Sequence, residues 1–92
     1  MSPLCVASRV SEGVSFTIAA ETVGSATALN YRLSSDRAVH DWFLEVTGPR
    51  RVIGVFGGRC DPVGPDRFRI VPDVFTRSLN ATAPVELSVL VA

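Results

Sequence analysis

The sequence predicts an all-β fold, a single domain built as a seven-stranded antiparallel β-sandwich over residues 1–92. Three observations support this prediction. Apolar and polar side chains alternate with a period of two along most of the chain, as they do in half-buried strands. Turn-forming residues separate the alternating segments at short intervals, and no segment keeps the apolar spacing of a helix beyond about one turn. A chain of 92 residues is long enough for one core and too short for two.

The predicted strands follow one another with short turns between them. In chain order they cover residues 4–10, 14–21, 29–34, 42–47, 51–56, 67–70 and 85–91. In the first and the fifth predicted strands apolar residues occur on both faces, so the alternation signal is weakest there. The second places Val14, Phe16 and Ile18 on one face and polar residues on the other, and the last strand alternates in the same way. One apolar face per strand is what a two-layer sandwich requires.

The two central strands define the predicted core. Their inward-facing residues are Leu29, Tyr31, Leu33, Trp42, Leu44 and Val46. We expect Trp42 to be buried against Phe16, Ile18 and Leu87, because these residues lie on the apolar faces of their own strands.

The segment Gly57–Asp66 differs from the rest, since it contains three glycines and two prolines in ten residues. Proline removes a hydrogen-bond donor from a sheet and glycine offers no side chain to pack, so the segment cannot be a central strand. It is predicted to be a long loop, which in a small domain is either a recognition element or a connection between the two sheets. The residues expected to contact a partner are Gly57, Gly58, Arg59, Asp61 and Asp66.

Charge and composition exclude several classes of function. Nine basic and nine acidic residues cancel, so net charge does not indicate a nucleic-acid or membrane partner. No apolar stretch is long enough to span a bilayer. The charges are unevenly distributed, since residues 50–77 hold six arginines against three aspartates while residues 1–49 hold three arginines against five acidic residues. We expect these two halves to attract each other across the sandwich.

The sequence predicts neither catalysis nor a cofactor. His40 is the single histidine and lies beside Asp41, with no serine or cysteine in a recognisable nucleophile motif. We expect His40 to be a partly exposed residue at the start of a strand. Metal-ligand spacings and glycine-rich phosphate loops are both missing from the sequence. The chain is therefore predicted to be non-catalytic.

Cys5 and Cys60 leave the redox state open. A disulfide between them would close a long loop and contribute about 4 kcal/mol in the chain-entropy model. The residues from Met1 to Cys5 lack the features of a secretory signal. The chain is expected to be cytoplasmic, with free thiols, if it is complete as given, and secreted or in the cell envelope if it is an excised mature domain.

The first half of the chain resembles the bacterial intracellular proteinase inhibitor family. The matching stretches are Val14–Val23, Gly24-Ser25-Ala26, Leu29–Leu33, Ser34–Arg37, Asp41–Val46, Gly48-Pro49 and Val52–Phe56, followed later by Phe75-Thr76-Arg77. The family's Trp-x-Trp-Ser element is absent, and Ala83-Pro84 replaces its glycine before the last strand. This resemblance implies an immunoglobulin-like sandwich and, as a function, proteinase inhibition.

A second resemblance is to family-2 cellulose-binding modules. Cys5, the stretch from Gly13 to Phe16, Gly24-Ser25 and Trp42 occur in a similar order. The exposed tryptophans that bind sugar in that family have no counterpart here. Only Phe56 and Phe75 could form a platform, although phenylalanine at a strand end more often covers the core.

The function expected from the sequence is that of a non-catalytic binding module that recognises a protein partner, with proteinase inhibition as one form of it. Two alternatives remain open. One is carbohydrate binding through Phe56 and Phe75. The other is a structural subunit of a homo-oligomer that pairs through edge strands.

Overall fold

The computed structural model describes residues 6–48 and 51–92, and these form eight β-strands and no helix. The strands are β1 (Ala7–Val10), β2 (Ser15–Val23), β3 (Ala26–Ser34), β4 (Leu44–Thr47), β5 (Val52–Phe56), β6 (Gly58–Gly64), β7 (Arg67–Pro72) and β8 (Val85–Val91). All but β6 correspond to predicted strands. The all-β class is therefore confirmed, and the predicted count of seven strands is too low by one.

The strands form two antiparallel four-stranded sheets that share one core. One sheet has the order β1-β4-β7-β6 and the other the order β2-β3-β8-β5. The buried apolar side chains come from both sheets and from the segments between strands: Val14, Leu29, Tyr31, Leu33, Trp42, Leu44, Val46, Ile70, Leu79, Leu87, Val89 and Val91. The core thus includes all six residues predicted from the central strands. The architecture is that of a β-sandwich.

Strand β6 corrects the prediction of a long loop from Gly57 to Asp66. This strand lies at the edge of its sheet, where it pairs with β7 alone. An edge strand has one side without a neighbour, so Pro62, which lacks an N–H group, is tolerated there. The register shifts between Pro62 and Gly64, as in a β-bulge that ends regular pairing. Gly58, Pro62 and Gly64 therefore belong to an edge strand and not to a loop, while Gly57 precedes this strand and Pro65 lies in the turn after it.

Trp42 is buried, as the sequence predicts, and so are Leu44 and Val46. The indole Nε1 of Trp42 donates a hydrogen bond to the backbone carbonyl oxygen of Arg77 over 2.9 Å. The prediction for Ile18 is wrong, because 46% of this residue is exposed. Ile18 lies on β2, an edge strand that pairs only with β3, and an edge strand is covered less completely than a central one.

We expect Trp42→Ala to destabilise the fold by about 3–5 kcal/mol, because the variant loses a large buried ring and leaves a cavity. Trp42→Phe retains most of the apolar volume and leaves the Arg77 carbonyl without its donor, so about 1–3 kcal/mol is expected. Denaturant unfolding of both variants and the parent measures the two effects. A Trp42→Ala variant that unfolds at the parent's denaturant concentration would contradict the burial of this ring.

Candidate binding surfaces

The charged residues expected to contact a partner lie on β6 and in the turn after it. Arg59 Nε and Asp61 Oδ2 are 3.3 Å apart and form an ion pair along the strand. Asp61 also stands opposite Arg69 in the register of β6 and β7. Asp66 lies in the β6–β7 turn with a φ of 55°, the only positive φ of a non-glycine residue in the described part of the chain. The charges of Arg59 and Asp61 are thus paired with each other at a sheet edge, not displayed on a loop.

Gly57 and Gly58 form the crossing from β5 in one sheet to β6 in the other. Gly57 has a φ of 95°, a conformation that residues with a side chain rarely adopt. A Cβ atom on Gly58 would lie 2.3 Å from the backbone carbonyl oxygen of Val71. Both positions therefore need glycine for backbone reasons, independently of any partner.

We expect Gly58→Ala to destabilise the protein by about 1–3 kcal/mol, because the added methyl group overlaps the neighbouring strand and forces a backbone shift. Gly54→Ala is the matched control, since its added Cβ would meet Leu90 Cβ at 3.8 Å and Leu90 Cδ2 at 4.0 Å, both ordinary contacts. That control should change stability by less than about 0.5 kcal/mol. Thermal and denaturant unfolding of the pair decides the point, and equal stability of the two variants would refute the close approach at Gly58.

An apolar patch, defined here as Phe56, Val74 and Phe75, lies on either side of this crossing. Phe56 is 79% exposed, Val74 70% and Phe75 90%. The expectation that these phenylalanines cover the core is therefore wrong. Phe56 directly precedes Gly57, while Val74 and Phe75 lie in a turn whose backbone is hydrogen-bonded to Gly57. The structure thus brings the neighbourhoods of the two phenylalanines together.

Side-chain hydrogen bonds hold the turn that carries Val74 and Phe75. Asp73 Oδ1 accepts hydrogen bonds from the backbone N–H groups of Phe75 and Thr76, at 2.9 and 3.1 Å. The Gly57 carbonyl oxygen accepts from the Asp73 N–H at 2.9 Å and from the Thr76 hydroxyl. Aspartate is a sequence signal for such a turn, because its carboxylate can accept a hydrogen bond from the backbone N–H two residues further on. Asp73 therefore predicts the turn that carries Val74, a residue that is not among those expected from the sequence to contact a partner.

A shallow trough on the outer face of the β2-β3-β8-β5 sheet adjoins Phe56. It encloses about 330 Å³ and is lined by Ala28, Asn30, Gly54, Val55, Phe56, Ser88 and Leu90. The Ser88 hydroxyl donates to Asn30 Oδ1 at 2.7 Å, and Asn30 Nδ2 donates to Glu21 at 3.5 Å. The trough therefore combines small side chains with an amide and a hydroxyl beside one exposed aromatic ring.

Burial changes the acidity of two groups in the sandwich. The side chain of Tyr31 is buried, and burial raises the pKa of its phenol, while a hydrogen bond with the Ser8 hydroxyl opposes that shift. Burial also raises the pKa of the Cys60 thiol, and the charge of Asp61 adds to this. Cys60 forms no disulfide with a described residue. Cys5 lies outside the described residues, so its pairing with Cys60 stays a prediction.

We expect stability to fall at alkaline pH because of Tyr31. A pKa raised in the folded state means that this contribution is intact below the unfolded pKa near 10.0 and is lost as pH rises through the folded pKa. Tyr31 is the only tyrosine in the chain, so phenolate absorbance during a pH titration reports on this residue alone. Tyr31→Phe should flatten the alkaline limb of the stability curve. A phenol that titrates at the same pH in the folded and the denatured protein would contradict the prediction.

His40 has a partner that the sequence did not reveal. Its Nδ1 atom lies 2.8 Å from the Ser78 hydroxyl, next to the backbone bridge between Val39 and Leu79. Both side chains are exposed, and no described carboxylate is hydrogen-bonded to the imidazole. The described residues contain no group of three or more histidine, cysteine, aspartate or glutamate side chains that could hold a metal ion. The described residues also contain no helix that is long and apolar enough to cross a membrane.

Comparisons with protein-family models, with curated proteins and with solved structures find no match for this chain. The apolar patch and the trough beside Phe56 are therefore interpreted from their own geometry and chemistry.

Proposed function

We propose that the protein is a non-catalytic binding module that recognises a protein partner through the apolar patch of Phe56, Val74 and Phe75. The observation that carries the proposal is the 90% exposure of Phe75 on a turn in which Asp73 Oδ1 accepts hydrogen bonds from the backbone N–H groups of Phe75 and Thr76. A phenylalanine this exposed adds almost nothing to folding stability, whereas aromatic side chains dominate the energetics of protein interfaces.

The rigidity of the turn supports the same interpretation. A side chain presented on a preformed turn loses less conformational entropy on binding than one on a mobile loop. Thr76 anchors the turn to Gly57, and Gly57 follows Phe56, so one crossing positions the whole apolar patch. The resemblance to intracellular proteinase inhibitors suggests a narrower proposal, in which the fold is immunoglobulin-like and Phe75 enters the hydrophobic pocket of a protease. The hydrogen-bonded turn at Asp73–Thr76 is the segment best placed for that role.

The proposed surface differs from the one expected on sequence grounds. Arg59 and Asp61 neutralise each other across 3.3 Å, which leaves less charge for a partner. Gly57 and Gly58 serve the crossing between sheets. We therefore propose recognition at the apolar patch of Phe56, Val74 and Phe75 and treat Arg59 and Asp61 as a matched control.

We expect the double variant Phe56→Ala/Phe75→Ala to change stability by less than about 1 kcal/mol, because both rings are already exposed. Its affinity for the partner captured by the parent should fall at least tenfold, or about 1.4 kcal/mol. The control Arg59→Ala/Asp61→Ala should bind like the parent. The measurement is quantitative capture from native lysate followed by titration of the purified partner, with inhibition of a chymotrypsin-like protease as a separate assay.

The three possible functions give different results in this design. If Arg59→Ala/Asp61→Ala loses binding and Phe56→Ala/Phe75→Ala does not, the partner contacts β6, and the proposal is refuted. Self-association of the parent in sedimentation, abolished by changes on an edge strand, would favour the homo-oligomer.

Carbohydrate binding is the second candidate, because Phe56 borders a trough that offers the Asn30 amide and the Ser88 hydroxyl. Sugars bind where a ring stacks against them and amide groups hydrogen-bond to their hydroxyls. Retention of the parent on cellulose or chitin, lost in both Phe56→Ala and Asn30→Ala, would support this function over protein recognition. Retention that survives both changes would exclude the trough.

A further inference from the structure

A row of alternating charges crosses the outer face of the β1-β4-β7-β6 sheet. Arg9 on β1 stands opposite Glu45 on β4, Glu45 opposite Arg69 on β7, and Arg69 opposite Asp61 on β6. Opposite charges in direct cross-strand positions stabilise a sheet. In this row each of the four charged side chains lies opposite a residue of opposite charge. Arg67 does not belong to the row, because it pairs with Thr47 in the register of β4 and β7.

Arg67 makes the charge around Glu45 strongly unequal. The Glu45 carboxylate lies 3.5 Å from Arg69, 3.8 Å from Arg67 and 4.0 Å from Arg9, so three guanidinium groups surround one acid and leave a local charge of +2. These distances exceed the roughly 2.7–2.9 Å of a strong charge-assisted hydrogen bond, so Glu45 does not saturate the N–H groups around it. Arg69 Nε is buried and has no hydrogen-bond partner among the described residues.

The geometry around the cluster forms a cleft between Arg9 and Arg67. It encloses about 260 Å³ and is lined by Ala7, Ser8, Arg9, Glu45, Thr47 and Arg67. The Thr47 hydroxyl donates to the Ala7 carbonyl oxygen at 3.2 Å and is therefore occupied. The side chains of Arg9 and Arg67 are more than half exposed, at 81% and 55%, so a ligand in solution can reach their N–H groups.

Two further features define the surroundings of the cleft. The guanidinium of Arg69 lies 4.5 Å from the centre of the Phe43 ring, a cation–π contact that holds it beside Glu45. The nearest other acids on these strands and turns are Asp61, already paired with Arg59, and Asp66 in the β6–β7 turn. Counting Arg9, Arg59, Arg67 and Arg69 against Glu45, Asp61 and Asp66, this sheet face with its β6–β7 turn carries a net charge of +1.

We infer that this cleft binds a dianionic tetrahedral oxyanion, a phosphate or sulfate group, between Arg9 and Arg67. A charge of −2 neutralises the local excess, and the planar guanidinium fork matches two oxygens of such a group. The cleft faces away from the core on the sheet that does not contain Phe56. Its ligand is thus independent of the partner proposed for the apolar patch, and the two proposals can fail separately.

Titration with inorganic phosphate and with sulfate tests the inference, at an ionic strength held constant with chloride. The parent should show saturable one-to-one binding by calorimetry, with shifts of arginine Nε–H resonances in the NMR spectrum. Arg67→Ala and Arg9→Ala should each weaken binding at least tenfold, and Arg67→Lys should weaken it less because the charge remains. Each single variant leaves Glu45 with two arginine partners, so the fold should be retained, and thermal unfolding verifies this.

Arg32→Ala is the matched control, since Arg32 is an exposed arginine of the other sheet that pairs with Glu86 at 3.4 Å. It removes the same charge from the molecule and should leave anion binding unchanged. O-phosphoserine distinguishes two forms of the ligand, a free phosphate ion and a phosphate group attached to a larger molecule. If it binds with the same affinity as inorganic phosphate, the cleft is open enough to accept an attached phosphate group, and if it binds more weakly, the ligand is the free ion. The inference is overturned if the parent shows no saturable binding, or if Arg32→Ala weakens binding as much as Arg67→Ala.

Discussion

The crossing of the chain from β5 to β6 at Gly57 and Gly58 is the constraint on which the rest of the structure depends. Only Gly57 separates the end of β5, an edge strand of one sheet, from the start of β6, an edge strand of the other. Such a sharp passage requires the positive φ of Gly57 and the close approach of Gly58 to the Val71 carbonyl oxygen. Because β6 starts there, Cys60 packs against the core and Asp61 stands opposite Arg69.

The same crossing links folding to the proposed recognition surface. The Gly57 carbonyl oxygen accepts the two hydrogen bonds that attach the Asp73–Thr76 turn to the crossing, and this turn exposes Phe75. A change at Gly57 would therefore alter both the junction of the sheets and the position of the apolar patch. Function at this patch would depend on backbone geometry that contacts no partner, which is typical of a preorganised site.

The ion pairs among residues 6–48 and 51–92 each join side chains of one sheet, and none of them crosses the sandwich. The expectation that the two oppositely charged halves attract each other through the layers is wrong in this respect. Arg67 and Arg69 do pair with Glu45 from the other half of the sequence, but all three lie on the outer face of a single sheet. Transfer of unpaired charges into the apolar core would be strongly unfavourable, so the pairing occurs on the outer face of the sheet, where Glu45 is nearly buried among its arginine partners. The arrangement leaves one sheet with an arginine-rich face, while the other sheet carries the trough beside Phe56.

By itself, the sequence determined the all-β class, the approximate positions of seven of the eight strands and the central core residues. Alternation of apolar and polar residues is a local property of each strand. It therefore identifies inward-facing residues such as Leu33 and Val46 without information on which strands are adjacent. The tertiary structure decided which strands lie at sheet edges, and this explains the two main errors. Ile18 alternates like a core residue but lies on an edge strand, while Pro62 reads as a loop residue but is tolerated in an edge strand. The apolar patch and the arginine cleft join residues distant in the chain, such as Phe56 with Phe75 and Arg9 with Arg67. Only strand pairing and the crossing at Gly57 bring these residues together, because local periodicity carries no information about register between strands.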